Sequence, residues 1–282
     1  MTDSVSTIPQ RSAPRTPRVI AVSGGKGGVG KSSLAVNLAV SMAAQGHRTL
    51  AIDTDLGMAD LNLYLGVAPD NSLYELLHGS PVESILVEAH GISLLPGRNG
   101  CLPLVGMDPS ASSRLFEQVA RLRSDFDAVV VDTAAGIEES TLTFAAAADG
   151  VVMVVSPEPV SMADAYACLK ALALRWGVRR AYVVPNMVRQ QHEAIELFGR
   201  LSLIVSRFLD MELSCLTAIP FDARLSAAAA MGVPLVRLHP DAPASRSIGA
   251  LARELLHIEA TARPAHCPSW MGVPSEALEV AR

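Results

Sequence analysis

The stretch SGGKGGVGKSS, residues 23–33, decides the fold of this 282-residue chain. It follows the apolar run RVIAVS (18–23) and leads into a helical pattern that begins at Lys31, so it joins a predicted strand to a predicted helix. In that context the G-x-x-x-x-G-K-S spacing of residues 25–32 is typical of a phosphate-binding loop. Glycines let backbone N–H groups turn around a polyanion, and the helix N-terminus adds partial positive charge. The stretch therefore predicts a nucleotide site.

Several loop residues are candidates for this site because each supplies a backbone N–H group or a side chain suited to phosphate. The lysine of the motif reaches the β and γ phosphates, and its serine hydroxyl is suited to Mg²⁺. The predicted nucleotide-binding residues of the loop are Gly25, Gly27, Gly28, Val29, Gly30, Lys31, Ser32 and Ser33.

Acidic residues stand where two predicted strands end. Asp53 and Asp55 in LAIDTDLG are two positions apart, so they share a face if the strand extends that far. Asp132 ends DAVVVD and has the apolar-run-then-Asp form of a carboxylate that holds Mg²⁺ through its water shell. Ligands of α/β proteins bind at this carboxyl edge of the sheet, so these residues are expected beside the loop.

Short β-branched runs alternate with longer helical patterns along the chain. The strands are apolar at consecutive positions, which is typical of a parallel sheet buried on both faces. The predicted fold is α/β, a single P-loop NTPase domain with a mostly parallel doubly wound sheet and helices on both faces. The predicted strands are 18–23, 48–53, 92–97, 127–132, 150–156, 180–186 and 215–220, and the predicted helices are 31–45, 110–123, 139–148, 161–175, 189–209 and 245–259.

Both ends of the chain lack this alternation of strand and helix patterns. Residues 1–17 are predicted to be a flexible arm, 18–260 the P-loop domain and 261–282 a loosely docked tail. Within the tail, Trp270 and Met271 are weak candidates for contact with lipid or a partner. In the last predicted helix an apolar stripe is expected to pack on the core rather than to bind a membrane, and its members are Ile248, Leu251, Leu255 and Ile258.

Composition narrows the function classes. The chain is 50% apolar with a formal net charge of −5, so there is no overall positive field and direct nucleic-acid binding is disfavoured. No apolar run approaches the roughly 18 to 20 residues of a membrane span, and the first 18 residues lack the apolar core of a signal peptide. We therefore expect a cytoplasmic protein. Four separated cysteines, Cys101, Cys168, Cys215 and Cys267, form no C-x-x-C pair and argue against a zinc, iron–sulfur or disulfide site.

Three motifs together resemble the MinD/ParA class of ATPases. KGGVGKS (26–32) is similar to the deviant Walker A motif of that class, with an extra lysine at Lys26. DTDLGMADLNLYLG (53–66) resembles its first switch, and DTAAGIEES (132–140) resembles its second. The resemblance implies ATP and ADP as ligands with Mg²⁺, slow and partner-stimulated ATP hydrolysis, and an ATP-dependent homodimer.

The resemblance also implies roles for individual residues. Lys26 would cross the dimer interface to the phosphates of the partner subunit and act with Lys31 in catalysis. Asp55 would position or activate the attacking water, while Asp53 and Asp132 join Ser32 at the metal. Two further groups follow from the same resemblance: Gly136 and Glu138 at the dimer contact and switch, and Asn186, Pro220, Phe221 and Asp222 at the adenine.

The second half of the chain resembles one branch of this class, the flagellar-number ATPases called FlhG or FleN. The resemblance is carried by residues 156–172, 189–213 and 218–256. It implies control of the number and placement of polar flagella, with a flagellar signal-recognition-type GTPase, flagellar switch proteins or a transcriptional activator as partners. It also implies peripheral contact with the inner membrane or the cell pole. The branch usually begins with an Asp-Gln-Ala-x-x-Leu-Arg activator motif, which residues 1–18 lack, so GTPase stimulation is not carried over.

Other readings remain open from sequence. A cell-division or partition ATPase would have the same fold, and a nucleotide-locked scaffold would keep the loop without turnover. A redox or cluster-scaffold protein such as the nitrogenase iron protein shares the loop, but it places a cysteine after the second switch or carries a C-x-x-C pair. DTAAGIEESTLTF (132–144) has neither.

Overall fold

A mostly parallel β-sheet runs through the chain, which the computed structural model describes at residues 17–55, 57–98, 109–258 and 269–270. The strand order is β3–β4–β2–β5–β1–β6–β7–β8, with β9 paired to β7. β3 and β4 run antiparallel, and the other paired strands of the described chain are parallel. The strands are β1 Arg18–Ser23, β2 Thr49–Asp53, β3 Val87–Ala89, β4 Ile92–Leu95, β5 Ala128–Asp132, β6 Gly150–Val155, β7 Arg180–Val188, β8 Glu212–Cys215 and β9 Ile219–Pro220.

Helices cover both faces of the sheet, as the consecutive apolar strands predict. One core lies between the sheet and α1, α2 and α8 to α10, and the other lies between the sheet and α3 to α7. The helices are α1 Lys31–Ala44, α2 Leu61–Tyr64, α3 Leu73–Leu77, α4 Pro109–Arg121, α5 Glu139–Ala146, α6 Pro159–Trp176, α7 Gln191–Phe208, α8 Arg224–Ala230, α9 Leu235–Leu238 and α10 Pro243–Leu256. The predicted α/β fold class is confirmed. No helix within the described ranges has the length and apolar character of a membrane span.

One predicted strand is wrong. The segment predicted as a single strand over 215–220 forms the end of β8 and the separate short strand β9. Between them Thr217 leaves the ladder because its backbone N–H and its hydroxyl both donate to the Glu254 carboxylate of α10, at 3.1 and 2.6 Å. The break lets β9 pair with β7 near Asn186, on the nucleotide side of the sheet.

Trp270 corrects the reading of the tail. Its side chain is fully buried, its ring packs edge-on against Phe116 at 4.7 Å, and its indole N–H donates to the Phe144 carbonyl at 3.0 Å. Trp270 is therefore a core residue, and its proposed contact with lipid or a partner is wrong. Met271, Cys101, Cys267, and residues 1–16, 261–268 and 271–282 lie outside the described residues.

The apolar stripe of α10 packs on the core as expected. Its four members are buried, with exposed fractions between 0 and 8%. They belong to the core that α1 and the sheet share, and α10 contacts α1 directly. This face of α10 is therefore covered by the protein itself. The members within α10 are Ile248, Leu251 and Leu255, and Ile258 lies two residues after its end.

Candidate nucleotide-binding site

The loop between β1 and α1 has the backbone that a phosphate cradle needs. Gly28 and Gly30 have φ values of +80° and +90°, in the left-handed region that side chains other than glycine rarely adopt. A Cβ at Gly30 would lie 2.5 Å from Nδ2 of Asn186, which itself donates to the Val29 carbonyl at 2.8 Å. A Cβ at Gly25 would lie 2.1 Å from the backbone carbon of Asp164 in α6. Glycine is thus required where the loop is held against β7 and α6.

The two lysines of the loop have different surroundings. Lys31 is buried, with its side chain inside the loop and its Nζ donating to the Lys26 carbonyl at 3.4 Å. Lys26 is more exposed, and its Nζ forms an ion pair with Glu158 Oε2 at 2.7 Å, just before α6. Lys26 therefore pairs within its own chain, at the edge of the site.

Asp53 organises the first switch from the end of β2. Its carboxylate accepts backbone N–H groups from Asp55 at 3.1 Å, Asp60 at 3.0 Å and Leu61 at 3.1 Å. Burial raises the pKa of Asp53 to about 7, against the effect of these hydrogen bonds. Asp55 is half-buried, and its Oδ1 accepts the Met58 N–H at 3.0 Å.

Asp132 lies opposite Asp53, because β2 and β5 pair in register at these residues. It is fully buried, and neither carboxylate oxygen has a hydrogen-bond partner. Burial raises its pKa well above the usual range and Asp53 adds to the shift, while Ser32 and Lys31 oppose it. A buried carboxylate with no donor is costly unless a cation faces it. Asp132, Asp53 and the Ser32 hydroxyl are hard oxygen groups of the kind that Mg²⁺ prefers, so they fit that metal.

A cavity of about 440 Å³ opens beside the phosphate loop, with Ser32 in its wall. One end is formed by the loop and the start of α1, and the other by side chains from β7, β9, α8 and α10. The cavity is therefore polar where phosphates would lie and largely apolar where a base would lie. Its lining residues are Gly28, Gly30, Lys31, Ser32, Ser33, Leu34, Asp60, Tyr64, Asn186, Met187, Ile219, Leu225, Ser226, Ala229 and Ile248.

Of the four residues predicted to contact the base, one lines the cavity and three do not. Asn186 lines the cavity, and the next residue, Met187, has a φ of +60° at an irregularity of the β7–β9 pairing. Pro220, Phe221 and Asp222 are not among the cavity residues. Phe221 lies under the Arg189 guanidinium at 4.8 Å, and the Asp222 carboxylate binds Arg224 at 2.7 and 2.8 Å.

The second switch lies against the loop. The Gly136 N–H donates to the Gly24 carbonyl at 3.2 Å, and Glu138 is exposed immediately before α5. The switches and the start of α6 carry exposed apolar side chains: Met58 in the first switch, Ile137 in the second and Val160 in α6.

Sequence reasoning missed Asp60, Tyr64 and most of the apolar end of the cavity. Asp60 stands directly before an apolar run, where an aspartate reads as a helix cap. The apolar residues come from α8, α10 and β9, and nothing in the local sequence separates a cavity wall from a core residue. The missed lining residues are Asp60, Tyr64, Met187, Ile219, Leu225, Ser226, Ala229 and Ile248.

Comparison with known proteins gives a consistent family. The family described as ParA, with the description NUBPL iron-transfer P-loop NTPase, matches residues 15–256. The antiactivator FleN of Pseudomonas aeruginosa is 35% identical over 240 residues, which covers 84% of this chain and 86% of FleN. The flagellum site-determining protein YlxH of Helicobacter pylori is 34% identical and covers 72% of this chain and 69% of YlxH. The cell division protein MinD of Aquifex aeolicus matches in structure with a TM-score of 0.70 and 27% identity, covering 86% of this chain and 98% of MinD.

Proposed function

Because this chain belongs to the MinD/ParA family of P-loop ATPases, we propose that it is an ATP-dependent dimerising switch that controls the number and placement of polar flagella. The flagellar part is supported by the similarity to FleN and YlxH, which extends over most of the chain. The ATP-dependent part of the proposal is supported chiefly by Asp132. Its carboxylate is fully buried without a hydrogen-bond partner, opposite Asp53 and near Lys31.

The reaction would be hydrolysis of ATP to ADP and phosphate. The N–H groups of the loop and Lys31 would hold the phosphates. Asp55, which is half-buried, would orient the attacking water. Ser32, Asp53 and Asp132 would hold Mg²⁺, which when bound neutralises charge on the phosphates. The family is one of ATPases, and slow turnover with stimulation by a partner is our proposal for this member.

ATP-dependent dimerisation is supported by the exposed apolar residues at the site edge. Met58, whose N–H donates to Asp55 in the first switch, is 76% exposed, and Val160, two residues after the Glu158 that pairs with Lys26, is 60% exposed. A second copy seated on this edge would cover them. Lys26 would then leave Glu158 and contact the phosphates bound by the partner subunit, where a cation has a stronger electrostatic partner.

The first experiment measures the mass in solution of the Asp55→Ala protein with ADP and with Mg·ATP. We expect a monomer with ADP and a dimer with Mg·ATP, since the variant retains ATP. A second variant, Lys26→Ala, should bind ATP and stay monomeric, while the exposed Lys170→Ala serves as the matched control. If the molecular mass is the same with ADP and with Mg·ATP, the proposed switch is wrong. If the Lys26→Ala protein dimerises normally, the proposed contact of Lys26 with the phosphates of the partner subunit is wrong.

The flagellar role has its own test. Deleting the gene should change the number or position of flagella. Normal flagella would contradict the flagellar part of the proposal and leave the ATPase part unaffected.

We propose a flagellar signal-recognition-type GTPase, flagellar switch proteins or a transcriptional activator as partners, and a cytoplasmic protein with peripheral contact at the inner membrane or pole. Iron transfer is not proposed, because the sequence has no C-x-x-C pair.

A second candidate function is a cell-division or partition ATPase. It is supported by the structural match to MinD and by 29% identity to the chromosome-partitioning ATPase Soj of Thermus thermophilus. Salt-sensitive binding to nonspecific DNA in the presence of ATP would favour it, because neutralising phosphates releases counterions. Division-site errors in the deletion strain would favour it as well.

A further inference from the structure

Asp60 stands where an aspartate usually caps a helix, yet it does not cap one. It directly precedes α2, and its backbone is fixed at both ends: its N–H donates to Asp53 Oδ2 at 3.0 Å, and its carbonyl accepts the Leu63 N–H at 2.9 Å. A capping aspartate accepts an N–H from the first turn of the helix. The Asp60 side chain makes no such bond. Its carboxylate is therefore not used by its own helix.

The carboxylate faces the nucleotide cavity instead. Asp60 lines the cavity together with Lys31 and Ser32, and its Oδ1 is buried without a hydrogen-bond partner. Among the described residues, the other buried side-chain oxygens without a partner are both those of Asp132, which is fully buried. Asp60 and Asp132 come from different elements, and Ser32 is a neighbour of both. Two carboxylates that carry buried oxygens without a partner thus lie beside the serine of the loop, and the Ser32 hydroxyl is a hydrogen-bond neighbour of Asp60.

We propose that Asp60 is a third carboxylate of the Mg²⁺ site, a positioning residue that holds the water shell of the metal beside Ser32 and Asp132. Mg²⁺ dehydrates reluctantly and keeps several waters, so a carboxylate near a loop serine is well placed to accept hydrogen bonds from them. The role rests on the proposed function, since it requires a chain that binds Mg·nucleotide. It also ties metal binding to the first switch, because the Asp60 N–H is held by Asp53.

The test measures how much Mg²⁺ is needed to tighten the binding of a fluorescent ATP analogue. Asp60→Asn and Asp60→Ser remove the charge and should leave the start of α2 intact, because the Asp60 side chain makes no capping bond and Asn, Ser and Asp are about equally accepted at this position. We expect both variants to need about tenfold more Mg²⁺ than the wild type, the low end of what loss of an outer-shell partner of a metal costs. In EDTA their affinity for the analogue should match that of the wild type or exceed it, because a carboxylate near the phosphates is gone.

Asp70→Asn is the matched control, since Asp70 is exposed and follows α2 in the same segment. It should need the same Mg²⁺ as the wild type. Equal Mg²⁺ requirements for the wild type and both Asp60 variants would overturn the inference, as would equal losses of affinity with and without Mg²⁺, which indicate a structural role. A wild-type protein that binds no nucleotide would instead overturn the proposed function.

Discussion

At the scale of single residues, Gly30 has the most demanding backbone of the site. We predict that Gly30→Ala weakens ATP binding by about tenfold or more, because a left-handed conformation costs a residue with a Cβ roughly 1–2 kcal/mol. The added Cβ would also meet the Asn186 amide at 2.5 Å. Isothermal titration with ATP measures the effect.

Gly199→Ala is the control for that measurement. Gly199 is an exposed residue of α7 outside the cavity lining, a Cβ there would have no atom within 4 Å, and its φ is not in the positive region. The variant should bind ATP as the wild type does. If both substitutions weaken binding equally, the loss does not come from the geometry at Gly30.

The residues of the site were predictable to different degrees. The loop and Asp132 could be read because phosphate geometry fixes the spacing of the one and the strand end fixes the place of the other. Asn186 follows a strand that reaches the site, and it lines the cavity. Asp60 could not be separated from a helix cap. Phe221 follows the two-residue strand β9 and is not among the cavity residues, and so short a strand has no pattern in the sequence.

At the scale of elements, the main strands and long helices were predictable, because consecutive apolar residues and helical periods repeat over many positions. Elements such as α2 (Leu61–Tyr64) and β9 (Ile219–Pro220) are too short to show a period, so they were missed or merged. The contact between the loop and the start of α6 could not be predicted either. It includes an ion pair between Lys26 and Glu158, two residues that lie far apart in the sequence.

That contact leads to a prediction about the switch. Glu158→Gln should lower the protein concentration at which Mg·ATP dimers form, because Lys26 no longer has to leave an ion pair. Exposed pairs are worth about 0–1 kcal/mol each and two are released per symmetric dimer, so the shift should be no more than about thirtyfold. Light scattering over a dilution series in the Asp55→Ala background measures it.

The control is Glu212→Gln, which breaks a comparable exposed pair with Arg180 far from the loop. It should leave the dimerisation curve in place. An unchanged or weaker dimer for Glu158→Gln would mean that the ion pair does not compete with dimerisation.

Trp270, which follows α10 in the chain, packs against Phe116 of α4 and Phe144 of α5. Trp270→Ala should lower the free energy of unfolding by about 3–5 kcal/mol, the range for truncating a buried aromatic residue. The loss includes edge-on packing on Phe116 and the bond to the Phe144 carbonyl. Urea unfolding measures it, with the half-buried Trp176→Ala as the control that should lose less. Equal losses would place Trp270 outside the cooperative core.

At the scale of the whole molecule, the buried carboxylates make stability depend on pH. The pKa of Asp53 is about 7 in the folded chain, against an ordinary value of 3.8, because burial disfavours its charged form. Between about pH 4 and 7 the folded state therefore holds a proton that the unfolded state has lost. Stability from this group is greatest below the lower value and falls as pH rises through the window, by at most about 1.4 kcal/mol per pH unit.

We predict that the metal-free wild type, in EDTA, has a larger contribution to stability from this group at pH 5 than at pH 7.5. Urea unfolding at both values, compared with Asp53→Asn, measures the contribution of Asp53 together with its effect on the neighbouring Asp132, whose pKa it raises. The variant should be less stable overall, since an amide accepts fewer of the three backbone N–H groups that Asp53 now holds. Its stability should nevertheless fall less with rising pH than that of the wild type. Parallel pH profiles for the two proteins would mean that Asp53 stays ionised throughout, and that the loop and its neighbours compensate its charge without a metal.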